Sequence, residues 1–518
     1  MRCARISTLA MMMSCCVSAH SVAADWLQFG YDAAHSGNNA AETTITAADV
    51  SQRITLYANP FNLPAIVDSA PVYARGVATA NGTRNLLFLL GSDTTEDFWA
   101  KNSTLMAIDA DTGSIVWSHV ISALVINGQT SSQHASSSPA IDPAKQYVYS
   151  FGIDGYAHKY RIGDGVEMLT PGPAGWPQQV TLKPYVEKVA SGLTIATWKG
   201  TSYLEVVTSG RYGDGGDYQG HLVSINLDTG ARTVFNFMCS NVSTLLAEGS
   251  CPTSLGGAWG RGGATFDSAT GRIYVTSGNG IFDADTGGTN WGDSVLALAP
   301  NGTGLGANMP YDSYTPSNFQ YLYTSDLDLG SISLAILPAP AGSIVSHLGM
   351  QVGKDAVLRL IDLDNMSGAG ASAHVGGELQ LLNVQQGGSW MSEQPAVWVN
   401  PADGSTWLFV GNGYGLSAVR LGLDGSHRPV LSYAWNVSDH STSPIVANGV
   451  LYYLGGFNGG IVARDPLTGT MLGTSPTLGP SHWQSPILAD GAIYVTDSAN
   501  RLWRLVLDRI FKDGFDGP

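Results

Sequence analysis

Hydrophobic positions along the chain come in bursts of four or five residues, too short for helices and too regularly spaced for chance. Runs such as Leu86-Leu87-Phe88-Leu89-Leu90, Tyr147-Val148-Tyr149-Ser150-Phe151, Arg272-Ile273-Tyr274-Val275 and Val450-Leu451-Tyr452-Tyr453-Leu454 are built of strong strand formers. Gly, Asn or Asp bounds each of them, which is the pattern of short β-strands joined by tight turns. A lead-in of small residues or proline opens each unit, at residues 69–72, 138–141, 190–193, 263–266, 329–332, 394–397, 443–446 and 485–488. Ser138-Pro139-Ala140-Ile141 and Ser443-Pro444-Ile445-Val446 are the clearest copies. The repeat therefore predicts eight units of roughly 62 residues, each the size of a four-stranded propeller blade with generous loops. No amphipathic helical window interrupts the series.

The fold class expected is all-β, a single eight-bladed propeller over residues 25–507. The last unit ends near Leu507 and is one strand short, while Trp26-Leu27-Gln28-Phe29 is a strand without a unit. A propeller removes its open edge by pairing its two ends, so this N-terminal strand is expected to complete the eighth blade.

Composition supports that picture. The 518 residues include 63 Gly and 24 Pro, with 44% hydrophobic and only 13% charged, which suits a tightly turned, well-cored β protein and excludes disorder. The net charge of −16 leaves no basic surface for a phosphate backbone, so nucleic acid is not expected as a partner.

Residues 1–24 read as a leader: Arg2 and Arg5 precede an apolar stretch, and Val22-Ala23-Ala24 offers a cleavage site before Asp25. The alternative is a lipoprotein acylated at Cys15 or Cys16, though Met12-Met13-Ser14 matches the usual box poorly. No run is long enough to span a bilayer as a helix. Export to the periplasm or beyond is the expectation, which leaves Cys239 and Cys251, 12 residues apart, as either a disulfide or two free thiols. No Cys-x-x-Cys-His is present for covalent haem, nor a His-Glu-x-x-His. The tail at 508–518, which contains Phe511-Lys512-Asp513-Gly514-Phe515, lies past the last unit and reads as a sorting segment or a disordered end.

Ala107-Ile108-Asp109-Ala110-Asp111-Thr112-Gly113-Ser114-Ile115-Val116-Trp117 resembles the tryptophan-docking repeat of the quinoprotein alcohol dehydrogenase-like propellers, with weaker copies at 225–230 and 463–469. Trp26-Leu27-Gln28-Phe29-Gly30 and His35-Ser36-Gly37 resemble the start of the same pyrroloquinoline quinone (PQQ)-like repeat proteins. The resemblance covers essentially the whole of 25–507. It implies a blade-to-blade clamp at Trp117, and leaves the activity open, because the fold serves both dehydrogenases and cofactor-free scaffolds.

In the dehydrogenases the resemblance would place PQQ and Ca²⁺ at the propeller axis. Residue by residue it implies Asn279 as a calcium-binding amide, Asp326 as the base and Lys354 as the cation at the quinone carbonyls. The calcium-ligating glutamate of that family has no counterpart, so Asp214 or Asp217, within the glycine-rich stretch 209–217, would have to serve. Arg261 stands where the aromatic floor is expected, and Trp259 would supply it only through a shift of two residues. The vicinal Cys-Cys that covers the cofactor is absent from 25–518. Two functions follow as expectations: a binding or scaffold propeller that takes an unspecified protein or small molecule on its axial face, or a PQQ-dependent alcohol or polyvinyl-alcohol dehydrogenase-like oxidoreductase.

Overall fold

The computed structural model describes residues 25–51, 56–94, 99–172, 174–211, 213–306, 309–388, 391–456 and 459–507. The expected leader at 1–24 and tail at 508–518 lie outside them. Eight antiparallel blades of four strands make up the body, one of them extended to five by the parallel two-residue strand Asn38–Asn39. Seven run in sequence order, from Val72–Thr79, Gly82–Ser92, Asn102–Asp109 and Ile115–Ser122 in blade 1 to Ile445–Ala447, Val450–Leu454, Ile461–Arg464 and Met471–Thr474 in blade 7. Each blade's innermost strand starts at or just after one of the predicted lead-ins, so the repeat legible in the sequence is the blade. Helices among the described residues are short, namely Ala47–Ser51 and Phe319–Thr324 with two 3₁₀ turns, and none is long and apolar enough to cross a membrane.

Closure uses a different segment from the one expected. Blade 8 consists of Ile487–Ala489, Ala492–Asp497, Arg501–Leu507 and, as its outermost strand, Leu56–Asn62, which pairs antiparallel with Arg501–Leu507 from Leu56↔Leu507 to Asn62↔Arg501. The two chain ends do meet in one blade, but Trp26–Phe29 is not the strand that closes it.

Residues 26–39 instead cross the axis. Trp26 bridges Tyr73 of blade 1. The amides of Ile141, Phe266, Val397 and Val446, in blades 2, 4, 6 and 7, donate to the carbonyls of Leu27, Ala33, Ser36 and Gly37 at 2.7–2.8 Å. Gln28 Oε1 accepts from the Ile195 amide of blade 3, and Asn39 Nδ2 donates to the Leu488 carbonyl of blade 8. Innermost strands have a bare edge facing the channel, and unpaired buried amides there would each cost about 1–3 kcal/mol. The N-terminal segment satisfies them and plugs the channel.

The clamp expected at Trp117 is present, and it reaches into the next blade. Trp117 lies over Gly165 of blade 2, where an added Cβ would come within 2.5 Å of the indole, and its Nε1 donates to the Ile162 carbonyl at 3.0 Å. Trp435 of blade 6 repeats the arrangement over Gly469 of blade 7, donating to Pro466 O at 3.0 Å. Both glycines have positive φ, so the turn conformation and the indole together demand the missing side chain.

Cys239 and Cys251 form a disulfide that ties the loop after blade 3's outer strand.

Candidate functional site

Several residues just ahead of the innermost strands line an axial cavity or bond to those that do. Asp68, His134, Trp259, Asp326, Asp328 and Trp483 all stand one to eight positions before an innermost strand or its lead-in. Lys188, Asp214, Trp259, Asp326, Asp328, Lys354 and Trp483 line a cavity of ≈ 240 Å³.

Blades 3, 4 and 5 supply its polar wall. Asn279 follows the blade 4 strand Arg272–Thr276, and its Nδ2 donates to Asp326 Oδ1 at 2.9 Å and to Asp214 Oδ2 at 3.4 Å. The Asn279 amide N–H donates to Asp328 Oδ1 at 2.7 Å. Lys354 comes from the turn between two blade 5 strands, His347–Gln351 and Val357–Asp362, and places Nζ 2.8 Å from Asp326 Oδ1 and 2.5 Å from Asp328 Oδ2. Asp214 is fixed on its other side by the Tyr218 hydroxyl at 3.1 Å. The sequence candidates Asn279, Asp326, Lys354 and Asp214 are thus one hydrogen-bonded cluster. Asp217 is not among the cavity's lining residues: it accepts from the Gly249 amide and from Gln219 Nε2, both at 2.7 Å, and anchors the loop.

Asp326 is the exposed member, with 64% of its side chain accessible, whereas Lys354 is 7% accessible. Asp326 also holds a left-handed backbone, φ +53°, rare for a side-chain-bearing residue and common where function imposes strain. Burial opposes the charge on Lys354, but Asp328 and Asp326 outweigh it and hold the ammonium above its ordinary range. Behind them Asp293 accepts from the Leu329 amide at 2.9 Å, and burial pushes its carboxyl well up.

Trp259, and not Arg261, faces the cavity. Lys354 Nζ lies 5.3 Å from its ring centroid, and its backbone amide donates to Gly330 O. Arg261 is buried beneath, donating to the carbonyls of Ser136, Ala190 and Asp68. Sequence reading missed Trp483 and the Asp68–His134–His482 cluster, in which Asp68 Oδ2 accepts from His134 Nε2 at 3.2 Å and His482 Nδ1 at 2.7 Å. Burial works against the Asp68 charge, but the two imidazoles outweigh it and hold the carboxyl well below the usual range. The available signal was position: each precedes a lead-in, as Trp259 and Asp326 do.

PQQ and Ca²⁺ would require oxygen donors at this site. Among the described residues no three His, Cys, Asp or Glu side chains stand close enough to hold a metal by themselves. Asn279 Oδ1, however, is buried with no hydrogen-bond partner, while Nδ2 of the same amide donates to the Asp214 and Asp326 carboxylates. An orphaned amide oxygen with two carboxylates is a partial oxygen shell, and a hard cation would draw its remaining oxygens from a bound ligand. The donor set fits.

No family model and no curated protein matches the sequence. Solved structures do match. Quinohemoprotein alcohol dehydrogenase from Comamonas testosteroni aligns at 17% identity over 93% of this chain and 80% of its own, with a TM-score of 0.58. A europium-containing methanol dehydrogenase aligns at 14% identity over 91% and 89%, TM-score 0.59, and quinohemoprotein alcohol dehydrogenase ADHIIG from Pseudomonas putida HK5 at 13% over 93% and 80%, TM-score 0.59. The fold is the eight-bladed propeller of the quinoprotein alcohol dehydrogenases.

Proposed function

We propose that the chain is a PQQ-dependent oxidoreductase that oxidises an alcohol in the axial cavity. The observation that supports this most is the convergence of Asn279, Asp214, Asp326 and Lys354, drawn from four separate stretches of sequence, into one cluster beside Trp259. A cofactor-free scaffold has no evident use for a strained, exposed carboxylate held over a buried ammonium.

When bound, PQQ would supply the two-electron acceptor and the cation a Lewis acid. Asn279 and Asp214 would hold that cation, and Asp326, already facing the cavity, takes the proton of the alcohol hydroxyl. Lys354 orients the Asp326 carboxylate through the 2.8 Å contact and presents a fixed positive charge over the Trp259 ring. Asp328 is a positioning residue that locks Lys354 and the Asn279 backbone together. Two carboxylates, Asp214 and Asp326, stand at the Asn279 side-chain amide, a charge that suits a hard cation such as Ca²⁺. The leader-like residues 1–24 and the Cys239–Cys251 disulfide support export.

The test is dye-linked oxidation of primary alcohols by protein loaded with PQQ and either Ca²⁺ or a lanthanide. Turnover is expected, and Asp326→Asn should lower kcat by on the order of 10²–10⁴ while keeping PQQ affinity. Absence of turnover with both cations across short and long alcohols would refute the activity.

A further inference from the structure

The connection that carries the Cys239–Cys251 disulfide, residues 237–262, runs from the outermost strand of blade 3, Arg232–Asn236, to the lead-in of blade 4. Two candidate cation ligands stand in the turns on either side of it. Asp214 lies between the blade 3 strands Thr201–Val207 and His221–Asn226, and Asn279 between the blade 4 strands Arg272–Thr276 and Val295–Leu298.

Toward blade 3, the Gly249 amide, inside the loop that the disulfide closes, donates to Asp217 Oδ2 at 2.7 Å. Gln219 Nε2 joins the two segments again, donating to Asp217 Oδ1 at 2.7 Å and to the Thr253 carbonyl at 3.1 Å. The Leu255 amide donates to Tyr218 O at 2.8 Å, and the Gly220 amide donates to Leu255 O at 3.0 Å. Tyr218 is the residue whose hydroxyl fixes Asp214. Toward blade 4, the Gly256 amide donates to Asn279 O at 2.5 Å and the Cys239 amide to Asn290 Oδ1 at 3.0 Å. Met238 covers both Gly256 and Gly280, where an added Cβ would come within 2.9 and 3.0 Å of its methyl carbon.

Leu255 holds φ +88°, a backbone that bulky side chains avoid, at the point where the connection passes from one turn to the other. Such a conformation persists only where the surroundings impose it, and Cys251 supplies the nearest covalent restraint.

We infer that the disulfide-closed loop is a strap that holds the Asp214 and Asn279 turns at one spacing, so that the cation site is complete only while Cys239 and Cys251 are joined. The inference rests on the proposed function in that these two residues are taken as the cation's ligands. Asp217, which lies outside the cavity, is then a positioning residue that acts on Asp214 through Gly249 and Gln219.

The test compares oxidised full-length mature protein with two variants, Cys239→Ser/Cys251→Ser and Asp217→Ala, by two readouts. Hydrogen–deuterium exchange reads the strap alone. In both variants the Gly220, Leu255 and Gly256 amides should exchange about ten-fold faster or more, while the blade 6 strand Thr406–Asn412 exchanges as in wild type. Calorimetric titration with Ca²⁺ at saturating PQQ reads the site, and the affinity should fall by on the order of ten- to a hundred-fold, the range for lost support behind metal ligands. Asp217→Asn keeps an oxygen for the Gly249 amide and should restore most of that affinity. Should the double cysteine variant fail to fold, Asp217→Ala carries both readouts. Unchanged exchange in the variants, or faster exchange with unchanged Ca²⁺ affinity, would overturn the strap. A wild type that binds no cation would refute the proposed function, and the exchange rates would still decide whether the strap exists.

Discussion

Lys354 Nζ lies 2.8 Å from Asp326 Oδ1, across 28 residues of sequence, and the same ammonium reaches the buried Asp328. One cation thus joins an exposed carboxylate to a buried one. Replacing it by Met leaves Asp328 with the Asn279 amide as its remaining donor here, and breaking a buried pair from one side costs about 3 kcal/mol. Urea unfolding of Lys354→Met should show that loss. An unchanged midpoint would mean that the ammonium does not neutralise Asp328.

The interblade clamp makes a second prediction. Trp117→Ala removes an indole packed over Gly165 and strands the Ile162 carbonyl, so it should cost about 3–5 kcal/mol. Trp99→Ala, at an exposed position, should stay within about 0.5 kcal/mol of wild type. Equal effects in chemical denaturation would remove Trp117 from the clamp.

Blade number and blade order were readable because every blade repeats the same lead-in and the same turn chemistry. The closing strand was not, because Leu56–Asn62 stands ahead of the first lead-in and contains Pro60, an uncommon residue inside a strand. At the outermost position of a blade a proline loses little, since one edge has no partner to donate to. Trp26 to Phe29 has strand-forming side chains, yet its backbone groups serve several blades in turn, a use that leaves no periodic trace. In the site, Asn279, Asp326 and Lys354 were found through motif resemblance, whereas Trp483 and Asp68 carry no motif and come together only when the ring closes. Asp214 and Asp217 could not be separated by sequence, since the choice depends on how a glycine-rich loop turns.

Glu205 gives stability a pH dependence. It is fully buried, with Ser224 donating to one carboxyl oxygen and the other without a partner, and burial holds it well above the glutamate range. The folded state therefore keeps a proton that the unfolded chain gives up once pH passes the ordinary glutamate value. From there stability falls by about 1.4 kcal/mol per pH unit until the folded carboxyl also ionises. Glu205→Gln should match wild type near pH 4 and gain on it steadily toward neutrality in thermal melts. Parallel curves for the two proteins would contradict the assignment.

The disulfide should contribute about 3 kcal/mol by restricting a 12-residue loop in the unfolded chain. Alkylation of unfolded mature protein should label neither Cys239 nor Cys251 until reductant is added. Labelling without reductant would show free thiols.

If the axial cluster holds a quinone through a cation, binding of the two must be coupled. Equilibrium dialysis of the mature protein with PQQ, in the presence and absence of Ca²⁺, measures this directly. One PQQ per chain is expected, dependent on Ca²⁺ and lost in Asn279→Ala, whose orphaned amide oxygen is the donor the cation would take. Absence of saturable PQQ binding, or binding that is indifferent to both Ca²⁺ and Asn279→Ala, would contradict it.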